Sequence, residues 1–473
     1  CIHQKKDKMG LKVCVLQPDY STSSVDYQYY DPPRQLSHLM PDAYFEYISL
    51  NKLTVYKQLL DCSKKNFDIY VNLCEGYLEW EVPSIDVIQT LDLLNLPYTG
   101  PTTTLYDPPK TLMKYLAYCE GVTTPQYHEI KSPDDAKKIA ASASYPLFVK
   151  PAKAGDSLGI DHGSLVNDGD ALVKKVESII KEYPVLLAEE YIDGREFTVL
   201  VAANPDGKTC RSFKPVEYIF PEGFAFKTYA LKTSELHPGA NTPCNDATLE
   251  KELRTSAEKI FRGFSGKGYA RMDFRVDKNG KIYFLEVNFT CSVFYADGYE
   301  GSADYILKFD GIGQAGFLQH IIAEGMARHQ RKQKAHEIRG NSIAGYGIYA
   351  KRLIKQGETL YRGEERPTRI VSKGYVDQHW DEHDKLKFRQ YAYPLGGDKY
   401  AIWDEEPHEW SPQNHSCNAN CAMEGLNMVA VRDIQPNEEL TLDYAYFLDA
   451  TMEPFECNCG AVNCRKTIKG VNS

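Results

Sequence analysis

No apolar run in this 473-residue chain approaches the roughly 20 residues a helix needs to cross a bilayer, so no membrane-embedded helix is expected. Basic charge is not in surplus either. Lysine and arginine number 55 against 65 aspartates and glutamates, a net charge of -10, which gives no general field for nucleic-acid backbones beyond a local patch. The polar, basic stretch from Cys1 to Lys12 is not followed by an apolar segment, so no secretory signal is read. Without an export signal, the thirteen cysteines, most of them dispersed in apolar contexts, read as reduced thiols of a cytosolic or nuclear protein. What remains is ordinary globular composition, 42% hydrophobic and 25% charged, in a length that suits three or four compact units.

The stretch Tyr269 to Asn288 organises the chain. Two runs rich in aromatic and branched residues flank Asn279-Gly280, a strong signal for a tight β-hairpin. A two-residue turn would pair Lys278 with Lys281 and set Val276 opposite Tyr283, Phe274 opposite Leu285 and Met272 opposite Val287, an unbroken apolar face. The other face would carry Asp273 opposite Glu286 and Arg271 opposite Asn288. Directly opposed carboxylates, with Cβ atoms about 5 Å apart, repel and normally share a cation. Asp273, Glu286 and Asn288 therefore read as an all-oxygen magnesium site beside Arg271, with a solvated charged face as the plainer alternative.

Strand signals at Leu11 to Leu16 and Phe67 to Leu73, with a helical pattern from Ser84 to Leu94, predict an open α/β layer. Lys110 to Glu120 reads as a helix with Lys110 and Lys114 on one face. The strand Tyr145 to Pro151 carries Lys150 and leads into Ala154-Gly-Asp-Ser-Leu-Gly159, a loop able to bring backbone N–H groups to phosphate oxygens. Glycines also serve any turn. After the strand Val185 to Glu190, Gly194 marks a turn, and Glu189, Glu190 and Glu196 suit an adenine amino group and ribose hydroxyls, or plain solvation. A single helical pattern covers Ala303 to Arg328, and the run Arg328 to His336 reads as a domain boundary.

From about Leu94 to Asn288 the chain resembles the ATP-grasp ligases of the D-alanine–D-alanine ligase type, through LPYTG, VKPAKAGDSLGI, EEYIDGREFTV, GYARMDF and YFLEVN in the family's order. The resemblance implies ATP held between two α+β lobes, with Lys114, Lys150 and Ser157 on the phosphates and Glu189, Glu190, Ile192 and Glu196 around the nucleoside. It implies magnesium on Asp273, Glu286 and Asn288, and Arg271 facing the transferred phosphoryl group. Such enzymes activate a carboxylate as an acyl phosphate for attack by an amine, chemistry that needs positioning and charge neutralisation above all. The family's Gly-Gly-x-Ser segment is here Gln17-Pro18-Asp19-Tyr20, its His-Gly is Glu75-Gly76, and its Pro-Gly after the metal strand is replaced by Phe289-Thr-Cys-Ser-Val. Nucleotide and metal positions are kept while amino-acid positions are not. The expectation is a carboxylate–amine ligase with a different acceptor, or a nucleotide-binding domain without turnover.

Beyond Glu337 the pattern turns to short strands. Cys457, Cys459 and Cys464 lie too close in sequence for useful disulfide loops and suit thiolates on one zinc ion, with Cys417 or Cys421 as the fourth ligand. The motifs Asn341 to Ala350, Asn414-His415-Ser416-Cys417, Asn437 to Tyr444 and the cysteine run resemble SET-domain protein lysine methyltransferases with a post-SET tail. That resemblance implies S-adenosylmethionine near Gly345, Tyr346, Gly347, Asn414, His415 and Tyr444, with Tyr444 at the methyl-transfer centre and zinc on Cys417, Cys457, Cys459 and Cys464. The position two before Tyr444, often aromatic, is Leu442, so the number of methyl groups added is not implied. Partners would be small carboxylate and amine substrates and a protein lysine, histones among the candidates. The expected fold is α+β and multidomain: an α/β lobe at 1–100, ATP-grasp lobes at 101–330, a mostly β SET domain at 337–450 and a zinc-binding tail at 451–473.

Overall fold

The structure is a computed structural model that describes residues 10–23, 31–76, 81–153, 159–222, 226, 239–342, 345–363, 368–403, 413–447, 449–451 and 453–470. Two compact units make up the chain, Cys1–Arg331 and Lys332–Ser473. No helix among the described residues is long and apolar enough to cross a membrane.

The first unit opens with three parallel strands in the order Tyr44–Leu50, Lys12–Pro18, Ile69–Asn72. Val13, Val15, Ile69 and Val71 are buried on one face and Leu16 and Leu50 on the other, as a covered parallel layer requires, and helices Val55–Ser63 and Ile85–Leu93 pack on the second side. A four-stranded antiparallel sheet follows, in the order Tyr127–Ile130, Leu186–Glu190, Leu147–Pro151, Leu165–Val166. The third sheet has six strands, and its centre is Gly194–Ala203 beside Tyr269–Asp277 and then Ile282–Asn288. Alternation along Tyr269–Asp277 sends Ala270, Met272, Phe274 and Val276 into a core with helix Ala247–Gly263, leaving Tyr269, Arg271, Asp273 and Arg275 on the opposite face. Residues 303–328 form two helices rather than one: Ser302–Asp310 ends on Gly311 in a left-handed conformation, and Gly313–Lys332 begins anew.

The hairpin register departs from expectation near its turn. Arg271–Asn288, Met272–Val287 and Asp273–Glu286 pair as read from the sequence, but Phe274 pairs with Phe284 and Val276 with Ile282. Lys278 does not face Lys281. The Asp277 carboxylate accepts N–H bonds from Asn279 (2.8 Å) and Lys281 (2.9 Å), so the loop holds three residues, with Gly280 at φ 81°. A three-residue loop closed by a left-handed residue is a common hairpin form, and a bulge between Asp273 and Phe274 on the pairing map absorbs the extra residue, Leu285.

In the second unit, hairpin His336–Asn341 with Gly345–Ala350 is followed by a five-stranded sheet. There the two-residue strands Asn414–His415 and Thr441–Leu442 run parallel, Leu442 also meeting Cys421. Ile348, Ala350, Ile354, Met428, Ala430, Ile434, Leu440 and Leu442 form its core. A separate three-stranded sheet carries helices Lys373–His379 and Glu382–Tyr391.

Candidate functional sites

In the first unit an open cleft lies between the four-stranded and six-stranded sheets. The first sheet contributes Phe148, Lys150, Glu189 and Glu190, and the second Glu196, Asp273, Arg275, Leu285 and Glu286. Leu285 is in the cleft because of the bulge: Phe284 takes the core position against Phe274, ring centroids 5.7 Å apart, and the spare residue turns out beside Glu286.

Glu189 is the hub of the charge pattern. It is 3% exposed, with Lys150 Nζ 2.9 Å from one oxygen and Lys114 Nζ 3.1 Å from the other. Burial alone would raise the Glu189 carboxyl, but Lys150 and then Lys114 hold it below its usual range. Burial lowers Lys114 despite Glu189, whereas at Lys150 the pull of Glu189, Glu286 and Asp273 overcomes burial and raises the ammonium. Glu189→Ala should cost about 3–5 kcal/mol, because two buried ammonium groups would lose their shared partner; a denaturant midpoint measured against wild type checks this.

Along the polar face, Glu286 lies 3.5 Å from Lys110 and Asp273 3.4 Å from Arg271. Asn288 Oδ1 is oriented by the Thr290 N–H at 2.8 Å and its hydroxyl at 3.1 Å. The set is all oxygen, two acids directly opposed with an amide one step along, and it fits a hard divalent cation. The apolar lining of Phe148, Ile160, Ile192 and Phe226, with Lys150 in the same cleft, fits a purine nucleotide. Glu190 is exposed on the wall, and the Ile192 carbonyl accepts from Arg275 at 3.1 Å. Ser157 lies outside the described residues.

Arg275 is a cleft residue that motif reading passed over. Its guanidinium donates to Glu196 Oε2 at 3.0 and 3.3 Å and lies over the Tyr191 ring. The signal was available, since Arg275 shares the two-residue alternation of Arg271 and Asp273.

The segments around Gln17 to Tyr20, Glu75 and Val293 are joined by a buried ion cluster. The Gln17 amide brackets the Arg34 backbone, accepting its N–H at 2.7 Å and donating to its carbonyl at 3.2 Å. Arg34, 2% exposed, binds Glu75 at 3.3 Å, Asp31 at 3.2 Å and the carbonyls of Leu73 and Val293. Tyr20 and Tyr295 donate their hydroxyls to Asp31. Burial pushes the Glu75 carboxyl from 4.5 to about 7 in spite of Arg34. Between those values the folded chain holds a proton that the unfolded chain has released, so this group makes stability fall as pH rises through that window. Thermal melts across the same window should show that slope, and Glu75→Gln should flatten it.

In the second unit the paired short strands set Asn414 and His415 beside Tyr444. Asn414 Nδ2 donates to the Tyr346 carbonyl at 2.8 Å and to Glu439 Oε1 at 2.6 Å, which also accepts from Asn341 at 2.9 Å. Gly347 is needed for that approach, because a Cβ there would lie 2.3 Å from Glu439 Oε1. Gly345, on the same strand, is exposed. The Tyr444 hydroxyl donates to the Gln413 carbonyl at 2.6 Å, and burial raises it to about 12. Rings of His415, Tyr444 and Phe455 pack edge to face, with centroids 5.6 to 6.1 Å apart.

Cys417, Cys457, Cys459 and Cys464 bring their sulfurs within 4.8 Å of one another, which fits four thiolates around one tetrahedral ion. Burial works against the Cys459 thiolate, yet N–H groups of Cys417 and Ala461 lower it to about 6. Spacing left Cys417 and Cys421 open as the fourth member; Cys421 is buried in strand Cys421–Glu424, its sulfur against Asn420.

Residues 116–293 match the family model described as the D-ala D-ala ligase C-terminus, and residues 345–445 the one described as the SET domain. The D-alanine–D-alanine ligase of Dechloromonas aromatica is 30% identical over 203 residues, 42% of this chain and 63% of that protein. The Aquifex aeolicus ligase is 29% identical over 200 residues, covering 42% and 64%. The chain thus spans somewhat under two thirds of the length of these relatives. Among solved structures, the D-alanine–D-alanine ligase of Coxiella burnetii superposes with a TM-score of 0.51 at 18% identity, covering 68% of this chain and 97% of its own. D-alanyl-alanine synthetase A of Vibrio cholerae gives 0.50 at 18%, covering 67% and 99%. The first unit has the ATP-grasp ligase fold. More particularly, the chain carries a D-alanine–D-alanine ligase-like ATP-grasp domain followed by a SET domain.

Proposed function

We propose that the chain is a two-enzyme fusion: an ATP- and magnesium-dependent carboxylate–amine ligase, and an S-adenosylmethionine-dependent protein-lysine methyltransferase. The observation that carries the ligase half is the opposed pair Asp273 and Glu286 on one sheet of a cleft that Lys150 lines from the other. Lys150 and Lys114 would hold phosphate oxygens once a nucleotide draws them from Glu189, and Glu196 with Glu190 would take the nucleoside hydroxyls. Asp273, Glu286 and Asn288 would hold magnesium, which when bound supplies charge neutralisation on the transferred phosphoryl group. Arg271, two positions from Asp273 on the same face, would steady the developing charge as a substrate carboxylate becomes an acyl phosphate and an amine displaces the phosphate. The Asp31–Arg34–Glu75 cluster supports an acceptor other than D-alanine, since Glu75 stands where the family resemblance implies a His-Gly pair.

Phosphate release from ATP, measured across a panel of amino acids, tests this reading. Turnover that depends on an acceptor is expected; nucleotide binding without it would favour a regulatory or scaffold domain. In the second unit, Gly345, Tyr346, Gly347, Asn414 and His415 would seat the methyl donor, and Tyr444 would orient a deprotonated lysine amine in line with the sulfonium methyl. The four cysteines would hold zinc, which supplies a fixed tail. Transfer of labelled methyl groups to histones or to cell lysate is the corresponding measurement.

A further inference from the structure

We infer that His415 is a positioning residue that ties the turn carrying Tyr444 to the four-cysteine cluster, so that metal loading of the cluster and placement of Tyr444 are linked. The inference rests on the zinc reading given above and concerns a role for the ring itself, apart from contact with a methyl donor.

The Tyr444 backbone N–H lies 3.2 Å from His415 Nδ1. An amide nitrogen only donates, so Nδ1 carries a lone pair and the proton of the neutral ring sits on Nε2. Nε2 faces Cys417 Sγ at 3.4 Å, and its N–H therefore points at the sulfur. Asp443, the charged neighbour on the Nδ1 side, stands 3.7 Å away and takes the Arg465 guanidinium instead.

A second connection runs beside the first. Arg465 follows Cys464, donates its backbone N–H to Cys417 Sγ at 3.4 Å, and binds through its side chain the residue next to Tyr444. Phe455, two residues before Cys457, packs against both His415 and Tyr444. The Cys417 sulfur thus receives two N–H donors, and each donor residue holds the Tyr444 turn by its other end. Donors to a metal-bound thiolate are charge-assisted and orient the ligand.

The test uses the full chain and two isosteric halves of the ring. His415→Asn keeps an acceptor where Nδ1 stands and removes the donor to Cys417; His415→Gln keeps a donor near Nε2 and removes the acceptor for Tyr444. Zinc affinity is read by competition with a chromophoric chelator, and the Tyr444 amide by hydrogen exchange with mass spectrometry. His415→Asn should weaken zinc about tenfold and leave Tyr444 protected, while His415→Gln should hold zinc near the wild-type affinity and speed exchange at Tyr444. In the wild type, chelating zinc should speed that exchange and weaken S-adenosylmethionine binding measured by calorimetry. Both readouts lost in both variants marks a merely structural histidine, and neither readout moved marks an idle one; each overturns the inference, as does Tyr444 exchange indifferent to zinc in the wild type. A wild type that binds zinc with the crossed pattern but takes up no S-adenosylmethionine would sink the methyl-donor reading alone.

Discussion

Glu286→Gln should lower acceptor-dependent phosphate release by roughly 10²–10³-fold while leaving the fold intact. A divalent ion at a phosphoryl oxygen contributes several kcal/mol of charge stabilisation, and each 1.36 kcal/mol is about tenfold in rate. The ribbon offers two opposed carboxylates, and the substitution removes the charge of one without changing its shape. The glutamine keeps an oxygen within reach of the buried Lys110 ammonium, now 3.5 Å away, and the substituted position itself is one-third exposed. ATP affinity without divalent ions should be unchanged, and only the magnesium-dependent part should shift. An unaltered rate at saturating magnesium would mean that the acids pair with Lys110 and Arg271 for structural reasons alone.

Tyr444→Phe should reduce methyl transfer by about 10²-fold or more, the usual scale for a positioned proton-handling or orienting group. S-adenosylmethionine binding should survive, because the backbone N–H that meets His415 remains. The hydroxyl donates to Gln413 at 2.6 Å, so its loss should cost about 1 kcal/mol of stability as well. Burial keeps the phenol protonated until about pH 12, so Tyr444 acts as an O–H donor and contributes no titration to a neutral-range rate profile. Labelled-methyl assays beside calorimetry separate the two effects; equal loss of donor binding and transfer would make Tyr444 structural.

Much of the first cleft was legible in the sequence, for a reason particular to the hairpin. The pairing of Asp273 with Glu286 came out as read because two one-residue errors cancel. Asn279-Gly280 favours a two-residue loop, but the Asp277 carboxylate captures two N–H groups and widens it to three. The bulge at Leu285 then restores step before the acids are reached. Nothing in Tyr-Phe-Leu-Glu marks which residue will be spare; packing of Phe284 against Phe274 decides it. Arg275 was visible through strand alternation yet lay outside any motif, and the Arg34 cluster joins residues 17, 31, 34 and 75 by contacts that no local pattern encodes. The break at Gly311 is a matter of backbone conformation within an otherwise continuous helical pattern. In the second unit, spacing grouped three cysteines but left the fourth open, because the choice between Cys417 and Cys421 depends on which side of a strand start each falls.

The spare residue at Leu285 also works as slack in the ribbon. A change in length among Lys278, Asn279 and Gly280 can be taken up there, letting the tip drift while the carboxylate end keeps its station. The tip of the hairpin is in this way insulated from the part where chemistry would tolerate the least movement.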